Sequence, residues 1–157
     1  MFATDFYIDR PIAPSDLSVS FAEAFGLKAF EVEVALEQDY TAIGDAWDHS
    51  RTKAVLATSS MPGDFPLVVR AGFRGELSDR FDEIASRIAC HLPATVMTNE
   101  VDGPEDFAMA SPDGEISFVY VDDDALGAAD PAIILVPQSR AIYEAHLRQE
   151  TRPLATA

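Results

Sequence analysis

Apolar residues recur at Phe81, Ile84, Ala85, Ile88 and Leu92, while Asp79, Arg80, Asp82, Glu83, Ser86 and Arg87 fill the positions around them. The spacing i, i+3, i+4, i+7, i+11 is one stripe of a 3.6-residue helix. It predicts a helix from Leu77 to Leu92. Ser78 can cap its first turn, Asp79 and Asp82 suit the positive end of its dipole, and Pro93 stops it. An apolar run stands on either side, Leu67 to Phe73 and Ala94 to Asn99. The expected order over this stretch is strand, helix, strand.

Alternation marks the other strands. Residues 2–9 put Phe2, Thr4, Phe6 and Ile8 on one side. Ala29 to Gln38 puts Phe30, Val32, Val34 and Leu36 inward and Glu31, Glu33 and Glu37 outward. An acidic outer face predicts a sheet covered on one side only. Between these strands, Ser15 can cap a helix with Leu17, Phe21, Ala24 and Phe25 on its buried side, and Gly26 ends it. Asp39 to Thr52 reads as a loop or a short irregular helix. Lys53 to Ser59 and Leu67 to Phe73 form a hairpin across Pro62-Gly63. Phe107 to Ala110 and Glu115 to Val121 form another across Pro112-Asp113-Gly114. Pro131 to Pro137 suits a short edge strand, and Ser139 caps a last helix that runs to Gln149.

This order predicts an α+β fold. Its heart is a ferredoxin-like β-α-β-β-α-β core, with an added C-terminal hairpin and a C-terminal helix, packed as a two-layer sandwich. One domain over residues 1–150 is expected, with a frayed tail over 151–157.

Bulk composition narrows the class. The chain has 157 residues, of which 48% are apolar, as in a soluble globular protein. No apolar run nears the roughly 18 residues that cross a bilayer. Met1 to Tyr7 lacks the basic start and apolar centre of a signal peptide. Cys90 is the only cysteine, which excludes an intrachain disulfide and a Cys-based zinc site. A cytoplasmic protein is the expectation.

Charge changes the picture most. Eleven basic and 27 acidic residues give a formal net charge of −16. Residues 88–139 hold 10 acidic residues and no Lys or Arg. Such a field repels nucleic acid and anionic membranes. It suits a basic protein partner, or serves solubility alone.

Candidate chemistry is sparse. Asp45-Ala46-Trp47-Asp48-His49 is the most loaded stretch: Trp47 can anchor a partner, and a histidine beside carboxylates can act as a base. Nothing near it supplies a nucleophile or an oxyanion hole. Cys90, near the apolar stripe of the central helix, reads as a small buried hydrophobe. Adjacent Cys90 and His91 point about 100° apart on a helix and cannot form a metal pair. Asp102, Glu105, Asp106, Asp122, Asp123 and Asp124 lack the spacing of a calcium loop. No catalytic, cofactor-binding or metal-binding residue is therefore assigned.

The leading expectation is a non-enzymatic acidic protein-binding module, an immunity- or inhibitor-type protein that neutralises a basic partner such as a toxin. Trp47, Asp45, Asp48, Asp102, Glu105, Asp106, Asp122, Asp123 and Asp124 would carry the contact. One alternative is an acidic DNA mimic that inhibits a nucleic-acid-binding protein. Another is a small-molecule sensor or enzyme with a pocket at the sheet–helix seam.

Overall fold

The computed structural model describes residues 2–75, 79–99 and 105–150. In chain order they form β1 (Phe2–Ile8), α1 (Pro14–Phe25), β2 (Val32–Leu36), α2 (Tyr40–Asp48), β3 (Ala54–Ser60) and β4 (Leu67–Phe73). Then come α3 (Phe81–His91), β5 (Val96–Thr98), β6 (Phe107–Ala110), β7 (Ile116–Val119), α4 (Asp123–Leu126) and α5 (Pro137–Glu150). The fold is α+β, with a seven-stranded sheet in the order β2-β3-β4-β1-β5-β6-β7. The sheet is mixed: β2 and β3 run parallel and the other neighbours antiparallel. This order differs from the four-stranded ferredoxin-like sheet, because β2 is added beyond β3 and β6-β7 extend the opposite end.

Connection handedness explains where the helices lie. Crossovers between parallel strands of one sheet are right-handed. The path β1-α1-β2 moves toward the β2 end. The path β4-α3-β5 moves the other way, but its strands also point the other way. Both helices therefore fall on the same face, where α1 packs on α3. The path β2-α2-β3 reverses direction without reversing the strands, so α2 falls on the opposite face.

The first face is built as the helical stripe requires. Phe6, Ile8, Leu56, Val69 and Val96 from the sheet meet Leu17, Phe21, Ile84 and Ile88 from α1 and α3, all buried. Aromatic edges lock the seam, with Phe6 on Phe21 at 5.4 Å and Phe25 on Phe73 at 4.4 Å between centroids. Gly26 ends α1 in the left-handed conformation, as read from sequence.

Several expectations need correction. The second face is also covered, over β5, β6, β7 and the Tyr7–Val68 end of β1 and β4. There Tyr7, Val68, Met97, Met109 and Val119 pack beneath Phe65, Val121, Ile133 and Leu135. The protein is thus not a two-layer sandwich. Residues 29–31 form a 3₁₀ turn rather than strand, and Phe30 and Leu36 are 53% and 57% exposed. Only Val32 and Val34 reach the first-face core. Cys90 is exposed rather than buried; the helix turns it outward beside Gly114. Asp39–Thr52 holds a regular helix, capped by the Asp39 side chain accepting from Ala42 N at 3.0 Å. Ser15 and Ser139 are not caps. α1 starts one residue before Ser15, and Ser139 Oγ instead accepts from Tyr120 N. Residues 131–137 make two isolated bridges, Gly63 with Ile133 and Val121 with Leu135. Ser78 and the tail 151–157 lie outside the described residues.

Two carboxylates tie the covering segment to the sheet. Asp9, at the end of β1, has a side chain only 1% exposed. It accepts from Arg10 Nε at 2.9 Å, Thr95 N at 3.1 Å and Tyr143 Oη at 2.7 Å. Asp64 accepts from Leu135 N at 2.9 Å and takes both Arg140 guanidinium nitrogens at 3.0 and 2.6 Å. Gly63, at φ +111°, lets Ile133 lie against the chain; a Cβ there would stand 2.1 Å from the Ile133 carbonyl oxygen. Only glycine accepts both the conformation and the approach.

Two outcomes test this account. Ile88 is wholly buried, so Ile88→Ala should cost about 2–5 kcal/mol in denaturant unfolding. A loss under about 0.5 kcal/mol would mean that the α3 stripe does not carry the core. Tyr143 has its ionisation pushed upward, by burial first and then by its bond to Asp9. A raised value means the folded state holds the proton that the unfolded chain gives up above pH about 10. The stabilisation is complete below that pH and is lost as pH rises further. Tyr143→Phe should cost about 2 kcal/mol at pH 8, for a hydrogen bond to a charged group. The gap to wild type should narrow between pH 10 and about 11. A gap that is constant with pH would exclude the Tyr143–Asp9 bond as the cause.

Candidate binding cleft

The second face is left bare between α2 and the C-terminal segment. There Ala3, Val55, Ala57 and Gly72 make a floor of small side chains. Their sizes follow from the strand period: each alternates with a first-face core residue such as Leu56 or Ala71. Tyr40, Ile43 and Trp47, at i, i+3 and i+7, form one wall from a single side of α2. The cavity between floor and wall is about 510 Å³, within the size range of small-ligand and side-chain pockets.

Two arginines frame it. Arg70 on β4 donates to Asp5 on β1 at 2.9 Å and pairs with Glu37 at 3.2 Å, spanning the face. The Asp5 bond and charge raise its pKa further, so it is a fixed cation. Arg74 stacks on the Trp47 ring at 5.2 Å and donates to the Trp47 carbonyl. It also reaches the Thr52 and His49 carbonyls at 3.2 and 3.4 Å. The Trp47 bond satisfies a carbonyl in the last turn of α2, the others tie Arg74 to the turn that follows, and together with the stacking they hold Trp47 in its pose. Neither arginine stood out in the sequence, since both roles depend on partners 20 to 65 positions away.

The structure distributes the nine expected contact residues over two places. Trp47 is half-buried in the cleft, and Asp45 and Asp48 are exposed on α2. Asp106 sits beyond the opposite end, where its carboxylate accepts from Val121 N at 3.0 Å, and Glu105 is beside it. Asp122 accepts from Asp124 N and Ala125 N as the cap of α4, on which Asp123 and Asp124 are exposed. Asp102 lies outside the described residues. Between β3 and β6 stand four strand spacings, roughly 19 Å along the sheet. The two groups do not make one patch.

Along β2 and α2, charge is one-sided. Residues 29–50 contain Glu31, Glu33, Glu37, Asp39, Asp45 and Asp48 and no Lys or Arg. Among the described residues, β2 is the end strand of the sheet. Exposed apolar side chains accompany it: Phe30, Leu36, and Tyr40 at 82% exposure. The other histidines of the chain part ways. His49 and His91 are exposed, and His146 is buried. Among the described residues, no helix is long and apolar enough to cross a membrane. No protein family, curated protein or solved structure matches this chain.

Proposed function

We propose that this protein is a non-enzymatic binding module of the inhibitor or immunity type, which covers a basic polypeptide partner with the β2 edge and the adjoining cleft. The observation that carries this reading is the coincidence of three features over residues 30–48. They are an end strand, exposed Phe30, Leu36 and Tyr40, and carboxylates uninterrupted by any Lys or Arg. An end strand presents unpaired backbone groups for strand addition. Glutamates along it repel a second copy of itself but attract a basic segment. The cleft beside it can receive an apolar or aromatic anchor from the partner, against Trp47 and Ile43. Charge of this sign speeds the encounter, and the packed anchor slows release. The ferredoxin-like unit belongs to the same proposal: β5-β1-β4-β3 with α1 and α3 is its framework. In this reading β2-α2 and β6-β7 are additions to that framework, and the first addition makes the binding edge.

A second reading has one observation in its favour. The cleft is about 510 Å³ and mostly apolar, with Arg70 at its side, which suits a small flat ligand with an acidic group. Arg70 is already paired with Asp5 and Glu37, so such a ligand must displace carboxylates. That cost places this reading second.

The test uses the full chain as bait in its host lysate, followed by association kinetics with the purified partner across a salt series. The association rate should fall as salt rises, with screening over about 8 Å at physiological strength. Glu33→Lys with Asp45→Lys should slow association about tenfold or more. Leu36→Asp should mainly speed dissociation. Asp122→Asn, Asp123→Asn and Asp124→Asn together, at the far end, should change the rate less than about twofold. A rate independent of salt and unmoved by the β2-edge variants would overturn the proposal. Trp47 fluorescence that shifts with a small acidic aromatic, and not with the partner, would favour the second reading.

A further inference from the structure

Away from the cleft, the β6-β7 turn meets α5. Asp113 and Glu115 stand on either side of Gly114, and His146 lies over the turn from α5. One ligand atom from each of the three comes within 4.8 Å of the others. His146 is only 6% exposed, whereas both carboxylates reach solvent. The turn is rigid. Ser111 N donates to Glu115 O at 2.9 Å, Gly114 N to Ser111 O at 2.9 Å, and Ser86 Oγ to Gly114 O at 3.2 Å. Asp113 Oδ1 accepts from Ser111 Oγ at 2.5 Å and Glu115 N at 2.9 Å. That holds the carboxylate ionised, below its usual range, and leaves Oδ2 for another partner.

The imidazole is oriented as well. Its Nε2 is 3.4 Å from Ser117 Oγ, and its Nδ1 faces Glu115 Oε2 at 3.9 Å. That separation is too long for a hydrogen bond. It leaves room for a third atom between them. A metal-bound histidine normally gives its other ring nitrogen to a hydrogen-bonding group, which fixes the tautomer. Ser117 is that group here.

We propose that Asp113, Glu115 and His146 form a site for a divalent first-row transition ion, with Zn²⁺ as its foremost occupant. Three atoms no more than 4.8 Å apart fit within a circle of radius roughly 2.8 Å, and Zn²⁺ binds oxygen and nitrogen at about 2.0–2.2 Å. Tetrahedral ligand atoms at that length stand roughly 3.4 Å apart. Closure therefore draws His146 Nδ1 and Glu115 Oε2, now at 3.9 Å, nearer by about half an ångström and any pair at the 4.8 Å limit by about 1.4 Å, through rotation of the exposed carboxylates. One nitrogen and two oxygens favour Zn²⁺, Fe²⁺ or Mn²⁺ over Ca²⁺ and Mg²⁺, which prefer oxygen alone. Three protein ligands leave a position open to solvent, on the side where the carboxylates are exposed. The site is independent of the binding edge, since β6-β7 and β2 are opposite ends of the sheet.

The experiment is a titration of the full chain in a Cys90→Ser background with ZnCl₂, by calorimetry and by melting temperature. MgCl₂ and CaCl₂ serve as comparisons, and CoCl₂ as a visible reporter. The expected result is one Zn²⁺ per chain with a rise in melting temperature. Co²⁺ should give a ligand-field band that Zn²⁺ quenches. Glu115→Gln, at an exposed position, should weaken Zn²⁺ about tenfold or more while leaving the metal-free melting temperature unchanged. His146→Gln should abolish the Co²⁺ band; because His146 is buried, the Glu115 variant keeps the test valid if this one fails to fold. No saturable Zn²⁺ binding below about 1 mM, or equal affinity in wild type and Glu115→Gln, would overturn the proposal.

Discussion

The second face of the sheet depends on one buried carboxylate. Asp9 ends β1, the strand with neighbours on both sides, and binds three separate parts of the chain through Arg10, Thr95 and Tyr143. An ionised carboxylate with so little exposure is tolerable only because it accepts charged and strong donors on both oxygens. The Thr95 bond sets the start of β5. The Tyr143 bond sets where α5 crosses the sheet, and Phe65 packs on the Tyr143 ring at 5.6 Å. Asp64 repeats the device one connection away, with Leu135 and Arg140. Together they convert an apolar sheet face into a second core, covered by the segment around Ile133 and Leu135 and by Tyr143 of α5.

That coverage stops part-way along β1 and β4, past Tyr7 and Val68, and the stop defines the cleft. Beyond it, the floor residues are Ala3, Val55, Ala57 and Gly72, too small to need a lid. α2 lies over this side because its crossover runs opposite to the other two. The added unit β2-α2 therefore has two consequences at once. It buries Val32 and Val34 on the first face, and it lifts Tyr40, Ile43 and Trp47 beside the second. Arg74 then closes the end of α2, so Trp47 is posed by a bond network rather than by burial.

What could be read from the sequence was local. The α3 stripe was legible because Ile84 and Ile88 repeat at the helical period and the chain stops at Pro93. Gly26, the Pro62-Gly63 turn and the strand alternation at Phe6 and Ile8 were legible for the same reason. Phe30 and Leu36 misled, because alternation reports which side of a strand a residue is on, not whether that strand is central or last. At an end strand the inward side runs out of helix to pack on. Cys90 misled because it borders the stripe without being in it. The second core was illegible: Tyr7 falls on the side of its strand opposite Phe6 and Ile8, and the short runs around Met97 and Met109 show no side at all. Only contacts across 70 or more positions, such as Arg140 to Asp64 and Tyr143 to Asp9, turn that side inward.

The acidity of the chain takes on a different meaning once its uses are separated. Asp9, Asp39, Asp64, Asp106, Asp113 and Asp122 each accept a backbone N–H from a turn, a cap or a neighbouring strand. An ionised acceptor makes the stronger hydrogen bond, so a fold with this many short connections selects aspartate without any partner being involved. Net charge by itself is therefore weak grounds for function. Three of these structural aspartates, with Glu115, fall in the segment 88–139 that has no Lys or Arg, which makes that segment less telling than its composition implied. The carboxylates of 31–48 are distributed differently. Glu31 and Asp39 serve local caps, but among the described residues no side-chain bond accounts for Glu33, Asp45 and Asp48, and they flank exposed Leu36 and Tyr40. Acid beside exposed apolar surface at an open sheet edge costs solubility nothing and blocks self-pairing. Under the proposed function, the same edge is where a basic chain would dock.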